Sequence, residues 1–148
     1  MRTFRFTILF AASAALAAWA LGAGAEHHEL PRTDAPEGAE VYIITPKDGA
    51  TVESPVTVTF GLRGMGVAPA GVEMPNTGHH HIIIDAPTPD LDKPIPTDEH
   101  HKHFGGGQTE VTLELEPGQH TLQLVLGDRN HIPHTKPIVS KAITITVE

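Results

Sequence analysis

Val56-Thr57-Val58-Thr59-Phe60-Gly61-Leu62 sets the reading of the whole chain. Val56, Val58, Phe60 and Leu62 alternate with Thr57, Thr59 and Gly61. An apolar period of two marks a strand with one face buried and one wet. Outward from there the same period recurs. Upstream, Val41-Tyr42-Ile43-Ile44-Thr45 is a strand stopped by Pro46, and Lys47-Asp48-Gly49 is a turn signal. Downstream, Gly64 to Gly78 is a Gly/Pro-rich loop and His79 to Ala86 a strand. A long connection from Pro87 to Gly107 holds four prolines and the run Gly105-Gly106-Gly107. Val111, Leu113 and Leu115 alternate with Thr112 and Glu114, and Pro117-Gly118 turns the chain. His120, Leu122, Leu124 and Leu126 then alternate with Thr121, Gln123 and Val125. Asp128 to Pro137 is a loop, and Ile143, Ile145 and Val147 mark the last strand. Residues 41–148 show no helical period and no internal repeat. They predict an all-β domain, an immunoglobulin-like antiparallel sandwich of about seven strands. At the turn into the strand that begins near His120, such sandwiches often carry an aromatic hydroxyl bonded back to the corner backbone. His120 occupies that position.

The first 25 residues read as a secretory signal peptide. Arg2 and Arg5 precede an apolar stretch from Phe6 to Leu21, and Ala23-Gly24-Ala25 supplies small residues for cleavage. The apolar run is about 16 residues, short of the ~20 that span a bilayer, so no stable membrane insertion is expected after cleavage. A periplasmic or secreted location follows. Residues 26–40, with Pro31, Pro36 and Gly38, read as a flexible lead-in. Loss of the two arginines takes the net charge of −8 to −10. Such an acidic chain is a poor partner for nucleic acid. Cysteine is absent, so packing must hold the core where disulfides would be available.

Eleven histidines are present, most of them in three groups. These are His79-His80-His81, then His100, His101 and His103, then His131 and His134. Neutral imidazole is a good ligand for copper, zinc, nickel and iron. In a sandwich topology the three groups gather at one rim. On a strand, His79 and His81 share a face and lie about 6.5 Å apart along it, close enough for both rings to reach one ion. His101 and His103 repeat that spacing. His79, His81, His101 and His103, completed by His131 or His134, are therefore the candidate ligands. Asp85 lies on the face of His81 and is a candidate acceptor for the second nitrogen of a ligating ring. The bare alternative is a buried His/Asp network that only fixes loops, or exposed imidazoles without a role. Asp128 reads as a turn residue. Met65 and Met74 sit in a loop at the same rim, where thioethers would favour Cu(I). Cleavage after Ala25 would also leave a free amine on Glu26-His27-His28, a nitrogen set suited to square-planar Cu(II) or Ni(II).

Several motifs resemble those of a known family. They are Gly78-His79-His80-His81-Ile82-Ile83-Ile84-Asp85, His103-Phe104-Gly105-Gly106-Gly107-Gln108-Thr109-Glu110, Gly118-Gln119-His120-Thr121-Leu122-Gln123-Leu124-Val125, Gly127-Asp128 and His131. In that order they resemble the signature of exported bacterial proteins catalogued as a domain of unknown function, over about Thr77 to Val147. The resemblance implies a small secreted sandwich and no particular activity. More loosely, Thr45-Pro46-Lys47-Asp48-Gly49-Ala50 with Pro55 and Val56 to Phe60 is similar to the opening of periplasmic copper-carrier sandwiches.

Three functions compete. A periplasmic metal-binding module would hold or pass on copper first, zinc second. A non-catalytic envelope domain would use the histidines to face a protein partner. A zinc hydrolase would need an open metal position and a base, for which Asp98 and Glu99 are the candidates. No H-E-x-x-H, G-x-S-x-G or P-loop pattern is present.

Overall fold

A computed structural model describes residues 31–148. The expected signal peptide and the Glu26-His27-His28 site lie outside the described residues. Nine strands follow in order: β1 (Glu40–Thr45), β2 (Thr51–Val52), β3 (Val56–Arg63), β4 (Gly66–Val67), β5 (Thr77–Ile84), β6 (His101–His103), β7 (Glu110–Leu113), β8 (Gly118–Gly127) and β9 (Ile143–Val147). Among the described residues there is no helix, and none long and apolar enough to cross a membrane.

The strands form two sheets. One has the order β1-β3-β7, antiparallel throughout. The other runs β2-β9-β8-β5, with β4 and β6 both pairing β5. Period-two alternation turns Val56, Val58 and Phe60 of β3 towards Ile82 and Ile84 of β5. Leu122, Leu124 and Leu126 of β8 and Ile143, Ile145 and Val147 of β9 join them in one core. Each such side chain contributes about 1.5–3 kcal/mol relative to exposure.

Strand count and edges differ from the sequence expectation. The extra strands β2, β4 and β6 are two or three residues long. Each adds to an edge through backbone bonds that leave no apolar period to read. β6 arises within the long connection expected from Pro87 to Gly107.

The central strand β5 is covered on both sides, with every residue from Gly78 to Ile84 buried. His80, Ile82 and Ile84 face the sandwich core, where the His80 ring lies 5.2 Å from that of Phe60. His79, His81 and Ile83 face outward, beneath the loops at residues 85–100 and 128–142. There Ile83, Val125 and Ile95 form a second, smaller core with Leu91, Ala86 and Val139 around it. A strand with two buried faces reads as a continuous apolar run, as Ile82-Ile83-Ile84 does. Three histidines continue that run.

A candidate metal centre on the covered sheet face

The pairing of β5 with β6 sets His81 directly opposite His103. The pairing of β5 with β8 sets His79 opposite Gly127 and His81 opposite Val125. His79, His81 and His103 therefore project from one face of one sheet. One ring nitrogen from each lies within 4.8 Å of the others. The fourth ring comes from the loop after β8. His131 stands 4.6 Å from His103, 5.0 Å from His79 and 6.2 Å from His81, centroid to centroid. The remaining separations are 4.8 Å for His79–His81, 4.9 Å for His79–His103 and 5.0 Å for His81–His103. Four imidazoles that bind one ion tetrahedrally at ~2.0–2.1 Å would have centroids roughly 5 Å apart. Five of the six separations stand near that spacing, and His81–His131, at 6.2 Å, is wider.

Two glycines make the room. A Cβ at Gly105 would fall 2.3 Å from the His103 ring, and one at Gly127 would fall 2.7 Å from that of His81. Bare backbone is needed where the rings lie flat against it.

The electrostatics mark the cluster as unfinished. His79 is 1% exposed and His81 0%. Neither ring nitrogen of His79 or His81 has a hydrogen-bond partner, nor does Nε2 of His103. Leaving a buried polar group unbonded costs about 1–3 kcal/mol, and such groups are few in native proteins. Burial, then the neighbouring His103 and His131, pushes His79 down to about 4, with the Asp128 carboxylate opposing. Burial and the adjacent rings push His81 down to about 2. Burial and His131 lower His103 as well. These rings are neutral at pH 7, the form that ligates metal.

The other candidate residues are placed differently. His101 is on the face of His103 but two residues along, opposite Ile83. Its Nδ1 meets Asp98 Oδ1 at 2.8 Å, and its buried Nε2 has no partner. His134 is buried, with Nε2 3.1 Å from the Thr77 carbonyl, and no ring contact joins it to the four. Asp85 does not serve the cluster. At φ 53° it leaves the strand conformation, so alternation ends before it. Its carboxylate accepts from His120 Nδ1 at 2.6 Å and from the Thr121 amide at 2.8 Å. The second ring nitrogen of His120 donates to the Glu116 carbonyl at 2.7 Å, the corner bond expected at that turn. Met65 packs against the main core and Met74 is 58% exposed, so neither thioether joins the rings.

Asp128 is a turn residue, as its place in the sequence suggests; what sequence reasoning missed is that its carboxylate builds the turn carrying His131. Asp128 is fully buried, and Oδ1 accepts from the amides of Asn130 and Ile132 at 2.8 and 3.2 Å. Its carbonyl accepts from the His131 amide at 3.0 Å. His131 is held in the left-handed region, at φ 62°, a conformation that costs energy in a non-glycine residue and persists where the surroundings impose it. The signal was Gly127-Asp128 closing a strand just before a histidine loop.

An all-β histidine-rich domain with a covered four-imidazole cluster is thus the class that the fold and the site define. The chain belongs to the family described as Domain of unknown function (DUF4399), whose model matches residues 58–148. No curated protein and no solved structure matches it.

Proposed function

We propose that this protein is an exported metal-binding module that holds or passes on one ion through His79, His81, His103 and His131, copper first and zinc second. The observation that carries the reading is the convergence of three neutral imidazoles with buried, unbonded nitrogens, those of His79, His81 and His103, on one point, with the His131 ring beside them. An ion would take one nitrogen from each ring. An all-nitrogen donor set without thiolate or nearby thioether favours Cu(II), which outranks Zn(II) in intrinsic affinity for such ligands. Binding is favoured over hydrolysis because Asp98, one candidate base, is already engaged by His101 and by the amides of His100 and His101, and the other, Glu99, is exposed beside His100. Export to the periplasm or beyond rests on the leader at residues 1–25. The corner bond of His120 supports placing the two sheets in the immunoglobulin-like class.

The test is metal content. Protein purified without a His tag is expected to carry about one copper or zinc per chain, or to take it up from Cu(II) or Zn(II) and keep it through desalting. A His79→Ala/His81→Ala variant should lose it. Equal retention by the variant would sink the proposal.

A further inference from the structure

Residues 31–37, expected as a flexible lead-in, lie across the loop that carries His131. Arg32 Nε donates to the Pro133 carbonyl at 2.9 Å and Nη2 to the His134 carbonyl at 2.5 Å. The Thr33 amide and hydroxyl both meet Asp128 Oδ2, at 3.1 and 3.2 Å. The Thr135 amide donates to the Thr33 carbonyl at 3.0 Å, and its hydroxyl to Asp34 at 2.7 Å. Asn130 Nδ2 reaches the Pro31 carbonyl at 3.2 Å. Arg32 also pairs with Asp92 at 2.6 Å, in the second loop that covers the site. That loop's Ile95 amide donates to the His131 carbonyl at 2.8 Å.

These contacts converge on one residue. The two oxygens of Asp128 divide their work: Oδ1 shapes the turn that presents His131, and Oδ2 is held by Thr33. Arg32 fastens the far side of the same turn and ties it to the loop whose backbone grips His131. His79, His81 and His103 stand on paired strands and need no such help. His131 stands on a loop in a costly backbone conformation and does.

We propose that Arg32 and Thr33 are positioning residues of the metal centre, which lock the 128–134 turn through Asp128 and so deliver His131 as the fourth imidazole. The strap thereby decides whether the ion sees four nitrogens or three, and how fast it leaves. This rests on the metal-binding reading above. Residues that orient ligands without touching the metal typically cost 10–100-fold in affinity when removed.

The experiment is a double-mutant cycle read with Cu(II). Affinity by competition titration and the paramagnetic resonance spectrum are measured for the unsubstituted protein, Arg32→Ala/Thr33→Ala, His131→Ala and the combination. The strap variant should bind about 10–100-fold more weakly. Its spectrum should move from four nitrogen donors towards that of His131→Ala, and the ion should dissociate faster. In the His131→Ala background the strap substitutions should add nothing. An unchanged spectrum and affinity, or an equal loss with and without His131, overturns the proposal while leaving the metal centre standing. Failure of the unsubstituted protein to bind Cu(II) overturns the metal reading and this one with it. Amide exchange in the metal-free variant guards against a folding artefact. His131 and Ile132 should exchange faster while Ile82 and Leu124 stay protected, and loss of protection in β5 and β8 would show a merely structural strap.

Discussion

Near the start of β8, His120 spends both ring nitrogens on oxygen acceptors, Asp85 and the Glu116 carbonyl. At the far end of the same strand, Gly127 faces His79, and the rings of His79 and His81 spend none. Both acceptors of His120 require a proton on the ring, and Asp85 first, then Glu116, raises its pKa. Burial drives the pKa of His79 and His81 the other way. A histidine that a fold uses as a brace is paired and inclined to charge. The rings of His79 and His81 are neutral, enclosed and short of partners, as His80 is in the sandwich core, but only they stand beside other imidazoles.

The sharpest way to break that contrast is to replace both kinds by leucine. His79→Leu/His81→Leu should abolish tight Cu(II) binding, a loss of at least ~100-fold in a titration. Yet the metal-free protein should gain about 1–3 kcal/mol in denaturant unfolding, because unbonded buried groups have gone. His120→Leu should do the reverse. It should lose about 1 kcal/mol, since a partly exposed charge-assisted pair is broken while Asp85 keeps the Thr121 amide, with metal affinity unchanged. Gly105→Ala should displace the His103 ring and weaken metal binding about tenfold, the low end of effects on ligand orientation, with little change in melting temperature.

A further contrast is the pH dependence of the metal-free protein, and its signs differ between the regions. His79 and His81 take up protons near 6.5 when unfolded but only at about 4 and about 2 when folded. Their contribution is full above pH 6.5 and falls as pH drops from there, towards about 4 for His79 and about 2 for His81. The raised pKa of His120 makes its contribution full below 6.5 and lost as pH rises through its folded value. Melting curves across this range should show an acid loss that is smaller in His79→Leu/His81→Leu, where the lowered His80 and His103 remain. An acid loss of equal size in that variant would remove the distinction.

Much of this was legible in the chain because alternation is strong where one face is wet. Val56 to Leu62 and His120 to Leu126 alternate cleanly and are strands β3 and β8. The H-x-H spacing gave His79 and His81 a common face, while the register of β5 with β6 brings His103, and not His101, to them. What escaped reading depends on contacts far apart in sequence. β6 shows no apolar period of its own and is defined by backbone pairing to β5. Asp85 fell off the expected face because its backbone turns left-handed, which no side-chain pattern announces. The lead-in offers only small apolar residues such as Ala35 and Ala39 to the core, yet its polar groups find partners about 100 positions later. Polar lacing of that kind has no period.

The four rings come from β5, β6 and the turn after β8, so their meeting point exists only when the whole domain is assembled. A chain without cysteine has no covalent cross-link to restrict its unfolded state. An ion bound to this site would act as a removable one. Mass action then ties stability to supply: at free metal a thousandfold above Kd, the folded form gains about 4 kcal/mol over the unfolded. Metal scarcity would loosen the same domain that metal abundance would make rigid, so resistance to proteolysis would report how much metal is there.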